Sequence, residues 1–106
     1  MNRELYDHRA RIIKALAHPS RLAMLDALAE GERCVCELQE IVGSEMSTVS
    51  KHLALMKAAG IVTDRKAGLQ VYYRLQTPCL LGFLKCVDGV IRSNARTQQR
   101  LAAAAR

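Results

Sequence analysis

Between Cys34 and Leu75 the hydrophobic period changes from helical to alternating, and this change limits the folds open to the chain. The run Cys34-Val35-Cys36-Glu37-Leu38-Gln39-Glu40-Ile41-Val42-Gly43 reads as a very short helix, with Leu38, Ile41 and Val42 facing inward, Cys36 at its N-cap position and Gly43 closing it. After a brief turn over Ser44 to Met46, the residues Met46, Val49, Leu53 and Met56 follow at helical spacing on a second helix that Gly60 ends. Two β-prone runs come next, Ile61-Val62-Thr63-Asp64-Arg65-Lys66 and Gln70-Val71-Tyr72-Tyr73-Arg74-Leu75, around Ala67-Gly68. Two short helices joined by a tight Gly-containing turn are the sequence form of a helix-turn-helix, and the basic-tipped hairpin directly after them makes a wing.

The flanks complete the architecture. Leu5, Ile12 and Leu16 recur at helical spacing over about Glu4 to Ala17. Pro19 then opens a helix carrying Leu22, Leu25, Leu28 and Ala29, which Gly31 ends. Thr77-Pro78 supplies an N-cap and a first helical residue for a last helix whose stripe of Leu80, Leu84, Val87 and Ile91 needs a partner. The tail from Leu101 has too little apolar surface to hold down and is expected to fray. The expected fold is therefore α+β, mostly α, a winged helix-turn-helix in the order α-α-α-α-β-β-α. At 106 residues it should be one domain, 1–106, with the helix-turn-helix at about 36–59, the wing at about 61–75, and helices at about 4–17 and 78–100 pairing with a second copy as a homodimer.

Sixteen Lys and Arg against ten Asp and Glu leave a formal charge of +6, so the long-range field favours a polyanion. Apolar stretches such as Cys79 to Leu84 are broken by Gly82 and Lys85, far short of the roughly 20 residues that cross a bilayer. The polar start Met1-Asn2-Arg3-Glu4 shows no secretory signal, and the expected location is the cytoplasm. Catalysis has no support: there is no Cys-x-x-Cys in a βαβ setting as a thiol oxidoreductase needs, no Gly-rich phosphate loop and no Ser/His/Asp arrangement. The partner best matched to a reading helix and a cationic hairpin is double-stranded operator DNA, with no cofactor required for binding it. Ser47, Thr48, Ser50 and Lys51 fall on the outer side of the second helix, where hydroxyls reach base edges or phosphates and Lys51 neutralises a phosphate. Arg65, Lys66 and Gln70 flank the wing tip and would follow the backbone or an adjacent minor groove. His52, beside Leu53, is read as a hydrogen-bonded structural histidine and not as a base contact.

The segments Ala17-His18-Pro19-Ser20-Arg21-Leu22, Cys34-Val35-Cys36-Glu37-Leu38, Ser47-Thr48-Val49-Ser50-Lys51-His52-Leu53, Gly60-Ile61-Val62 and Tyr72-Tyr73-Arg74-Leu75 together resemble the ArsR/SmtB family of metalloregulatory repressors, in the family's order and over most of the chain. The resemblance is greatest to the arsenite-responsive branch. It implies a homodimer that binds its operator when unliganded and leaves it when an inducer binds.

Cys34 and Cys36 point to what is sensed. Two thiols one residue apart at a solvent-facing helix start can turn toward one atom, are poorly placed for an unstrained mutual disulfide, and so favour chelation over pairing. A helix N-terminus stabilises a thiolate, and soft thiolates select soft acceptors such as Cu(I), Zn(II), Cd(II) or As(III); the resemblance to the arsenite-responsive branch implies As(III) and Sb(III) first, with Cd(II) or Zn(II) besides. In the arsenite-responsive members that this chain resembles, a third cysteine follows one helical turn on; here Gln39 stands there, leaving a third ligand from Cys79 or Cys86, or a two-thiol site. Cys79 and Cys86 lie about 10.5 Å apart along one helix axis and cannot ligate one ion together from it. They are read as core residues or as the seat of an alternative, a thiol-redox or persulfide switch in the same fold. The α-helical zinc site of some relatives needs Asp and His pairs on the last helix, which offers Asp88 alone and no His.

Overall fold

The computed structural model describes residues 1–105 as five helices and a three-stranded sheet: α1 (Arg3–Lys14), α2 (Pro19–Ala29), β1 (Arg33–Cys34), α3 (Val35–Val42), α4 (Met46–Ala58), β2 (Val62–Ala67), β3 (Gln70–Leu75) and α5 (Leu80–Ala104). This is the winged helix-turn-helix order with one addition. Arg33 and Cys34 form a short strand that pairs antiparallel with Tyr73 and Tyr72 on the outer edge of β3, so the sheet runs β1-β3-β2. Two residues are too few to show a period, and the edge of β3 supplies the hydrogen bonds that make them a strand.

The core sits where α2, α3 and α4 meet the sheet. Met24, Leu25, Leu38, Val49, Leu53, Met56, Ile61 and Val62 are fully buried there. Each such large side chain contributes roughly 1.5–3 kcal/mol relative to leaving it in water. Val49, Leu53 and Met56 follow the expected spacing, while Met46 at the start of that row is more than a third exposed. Ile41, expected to face inward, is 48% exposed; α3 is only two turns long and buries Leu38, with Val42 half-covered. Gly43 ends α3 in the left-handed region at φ 71°, and its N–H donates to the Gln39 carbonyl at 2.8 Å, a conformation open to glycine without a Cβ penalty. β2 and β3 stay in register from Val62 opposite Leu75 to Ala67 opposite Gln70, with Gly68 at φ 62° in the connecting turn.

The outer helices depart more from expectation. α1 stops at Lys14 instead of Ala17, and none of its residues is buried within one chain; Ala15 and Leu16, just beyond it, are. α5 begins at Leu80, since Thr77 accepts the Leu80 N–H through its carbonyl and its hydroxyl caps nothing. The tail from Leu101, expected to fray, continues α5 to Ala104 among the described residues, carried by helix-favouring Ala, Arg, Gln and Leu, and Arg106 lies outside them. Among the described residues no helix is long and apolar enough to cross a membrane.

Candidate functional site

α4 buries Val49, Leu53 and Met56 and so turns Ser47, Thr48, Ser50 and Lys51 outward; all four are exposed. Glu45 caps the helix through its backbone only, leaving the positive end of α4 without a side-chain acceptor. At the far end, Lys57 reaches Asp64 on β2 at 3.0 Å, tying the reading helix to the wing.

On the wing, Arg65 is engaged. Its guanidinium donates to both carboxylate oxygens of Glu32, Nε to Oε2 at 2.9 Å, and lies over the Tyr72 ring at 4.8 Å. The hydrogen bond from Arg65 holds the Glu32 carboxyl below the usual carboxylate range. An exposed pair of this kind is weakly held, so a phosphate can displace Glu32 at small cost. Lys66 is exposed and, among the described residues, in no ion pair. The same holds for Arg74, which stands opposite Thr63 on the face shared by Arg65 and Tyr72, and which sequence reasoning passed over because it lies beyond the wing tip. Leu69 at the tip was also missed; it is 100% exposed. Gln70 is placed differently from the other wing candidates, against Cys36, with Oε1 3.7 Å from Cys36 Sγ.

The sulfur pair lies where β1 runs into α3. Cys34, not Cys36, is the N-cap: its Sγ accepts from the Glu37 N–H at 3.4 Å, and the Glu37 carboxylate accepts from the Cys34 N–H at 3.3 Å. This is a capping box with sulfur in the place of a hydroxyl oxygen. Cys34 is buried and Cys36 exposed, so only one of the two faces solvent. The expectation that they stay unpaired is corrected: the two sulfurs are bonded, across a Cα separation of 5.4 Å. The turn from extended Cys34 into the first residues of α3 shortens the Cα separation to 5.4 Å, whereas a continuous strand would hold the two side chains on one face but about 6.6 Å apart, and a helix would turn them to opposite sides. Cys79 and Cys86 are free and exposed, not core residues, and among the described residues no third His, Cys, Asp or Glu joins Cys34 and Cys36 within one chain.

His52 is half-buried against the His18 ring, centroids 4.3 Å apart, and its Nδ1 has no hydrogen-bond partner, so it is a packed and not a hydrogen-bonded histidine. His18 itself caps α2, its Nδ1 accepting from the Ser20 N–H at 3.0 Å. Burial first, then the nearby charges of His18 and Arg21, hold the His52 imidazole below its ordinary value of 6.5. A base lowered in the folded state is protonated earlier in the unfolded chain, so the contribution of His52 to stability is whole above about pH 6.5 and declines as pH falls from there toward the lowered value. Urea unfolding at pH 7.5 and pH 5.5 should show the wild type losing more stability on acidification than His52→Gln; equal losses would mean that the imidazole titrates as it does in water.

Two short helices presenting hydroxyls and a lysine, followed directly by a hairpin with a cationic tip, have the form of a winged helix-turn-helix DNA-binding domain. Residues 18–64 match the bacterial regulatory protein family arsR. The HTH-type transcriptional repressor SmtB of Mycobacterium tuberculosis is 42% identical over 73 residues, which cover 69% of this chain and 54% of that protein. The arsenical resistance operon repressor of Escherichia coli is 34% identical over 92 residues, 86% of this chain and 79% of the repressor. Among solved structures, the homodimeric winged helix-turn-helix DNA-binding domain of Mb0332 from Mycobacterium bovis superposes with a TM-score of 0.75 at 34% identity, covering 90% of each chain. The chain belongs to the ArsR family, whose members among these relatives are transcriptional regulators and not enzymes.

Proposed function

We propose that this chain is a cytoplasmic, homodimeric repressor that holds operator DNA through α4 and the wing, without a cofactor, and releases it when Cys34 and Cys36 capture a thiophilic metal or metalloid, As(III) or Sb(III) before Cd(II) or Zn(II). The observation that carries the reading is the meeting of two sulfurs at the first turn of the helix that supports α4. In the reduced form they are two convergent thiols, the donor set that soft acceptors select. The likeness to the arsenical repressor of Escherichia coli and to the homodimeric Mb0332 domain supports the inducer and the dimer respectively. A domain at 1–106 with dimerisation helices near either end fits the apolar faces left open on α1 and α5.

Inducer bound to Cys34 acts on the cap of α3, and α3 packs on α4, so the spacing of the two reading helices changes. The Cys34→Ser/Cys36→Ser protein keeps a hydroxyl cap for α3 and should fold and bind operator normally. Arsenite should weaken operator binding by the reduced wild type by about 5–150-fold, the usual range of allosteric coupling, and leave the double variant unaffected. Release that survives in the double variant would move the sensor elsewhere. The free, exposed Cys79 and Cys86 favour a thiol-redox or persulfide switch as the second reading, in which Cys79→Ser/Cys86→Ser, not the first pair, loses the response.

A further inference from the structure

β1 and the start of α3 run alongside β3 in one direction of register: Arg33 opposite Tyr73, Cys34 opposite Tyr72, and then Cys36 beside Gln70. The sulfur pair is thus in contact with the wing itself and not only with the helix it caps. Gln70 pairs with Ala67 at the last rung before the turn that carries Gly68 and Leu69. Its side chain leads back to Cys36 Sγ, 3.7 Å from Oε1. Whether that contact is a hydrogen bond depends on the chemical state of the sulfur. With the sulfurs bonded to each other, Cys36 has no S–H to give. As a thiol, it has one, within reach of the carboxamide oxygen.

We infer that Gln70 is the residue through which the state of Cys34 and Cys36 reaches the wing: the Cys36 thiol donates to Gln70 Oε1 and holds the wing tip in its DNA-binding position, and capture of both sulfurs by an inducer removes that donor. This rests on the reading of the cysteine pair as the inducer site. The chemistry is a condensation without redox change. A trivalent organoarsenic oxide meets two thiols, two S–H bonds break, two As–S bonds form, and the oxygen leaves with both protons as water. The acceptor on Gln70 then faces a sulfur with no hydrogen, and nothing else in the chain hydrogen-bonds that side chain among the described residues. A positioning role of this kind asks only for an acceptor at position 70, so Glu should substitute for Gln in the coupling even though its charge weakens DNA binding overall.

Fluorescence anisotropy on the protein's operator duplex, with reduced protein and phenylarsine oxide as the probe, tests this directly. The quantity read is the ratio of affinities without and with the arsenical. In Gln70→Ala the ratio should fall about three- to tenfold below wild type, in line with one lost hydrogen bond, because the arsenical-free affinity drops by that factor more than the arsenical-bound affinity does. Mass spectrometry should still find one arsenical bridging each variant chain. Gln70→Glu should restore the wild-type ratio at lower affinity in both states. A wild-type ratio in Gln70→Ala, or a Glu variant no better than Ala, overturns the role of Gln70 while leaving the inducer site standing. A wild type whose operator binding ignores the arsenical overturns the inducer site, and this inference with it.

Discussion

Replacing Ile91 by Asp is expected to turn the regulator into separate folded subunits and to lower its operator affinity by roughly two to four orders of magnitude, the gain that joining two binding modules ordinarily gives. Ile91 is 60% exposed within one chain, and Phe83, Val87 and Val90 beside it on α5 are open as well. On α1, Leu5, Tyr6, Ile12 and Ile13 are in the same condition, and no residue of that helix is buried. A wholly apolar cleft of about 250 Å³ lies between the two helices, lined by Ile13, Leu16, Leu22, Phe83 and Val87 among others. An apolar surface of this extent on a small chain marks an interface. In a two-fold pairing each substitution appears twice, so the variant confronts the interface with two unpaired carboxylates whose desolvation nothing offsets. The fold of a single chain has little stake in Ile91, and its far-UV circular dichroism should not change. Sedimentation of the variant as a dimer with wild-type operator affinity would remove α5 from the interface.

The sequence distance of the contacts that set each element explains which parts of the structure were legible in the sequence. Leu53 and its neighbours on α4 bury against the same chain, so their spacing declared both the helix and its inner face. Gly43 declared the end of α3, because the left-handed cap it adopts restricts the choice of residue. The candidate contacts Ser47, Thr48, Ser50 and Lys51 follow from the same periodicity, as the complement of what is buried. What stayed hidden was set by pairings distant in sequence. β1 exists because the edge of β3 is open to it, and Arg65 meets Glu32 across 33 positions, a contact no local pattern encodes. The cap of α3 was legible in principle, since Cys34-x-x-Glu37 has the spacing of a capping box, but sulfur stands where Ser or Thr gives the signal. Placing the cap at Cys36 moved both thiols toward solvent. The structure instead sinks Cys34 into the sheet and leaves Cys36 against the wing.

Leu53→Ala should cost about 2–5 kcal/mol of stability, whereas Leu55→Ala, two residues along the same helix, should stay within about 0.5 kcal/mol. Leu53 has 0% of its surface exposed and belongs to the cluster in which α4 meets α2 and α3; Leu55 is 51% exposed on the opposite side. Truncating Leu53 removes its transfer free energy and leaves a cavity between rigid elements, because the neighbouring Met24, Leu25 and Leu38 are themselves fully buried and have little room to close it. For a domain of this size each kcal/mol shifts Tm by about 4–8 °C, so the loss is large on the thermal scale. Protein concentration must match between the two variants, since the proposed dimer would be stabilised by mass action. Operator binding adds a second readout. If α4 is held by this cavity-prone contact, Leu53→Ala should weaken DNA binding even at temperatures where the chain remains folded, because the reading helix loses the support that fixes its angle to the wing through Lys57 and Asp64. A Leu53→Ala protein as stable as Leu55→Ala would place α4 outside the core and take the recognition face with it.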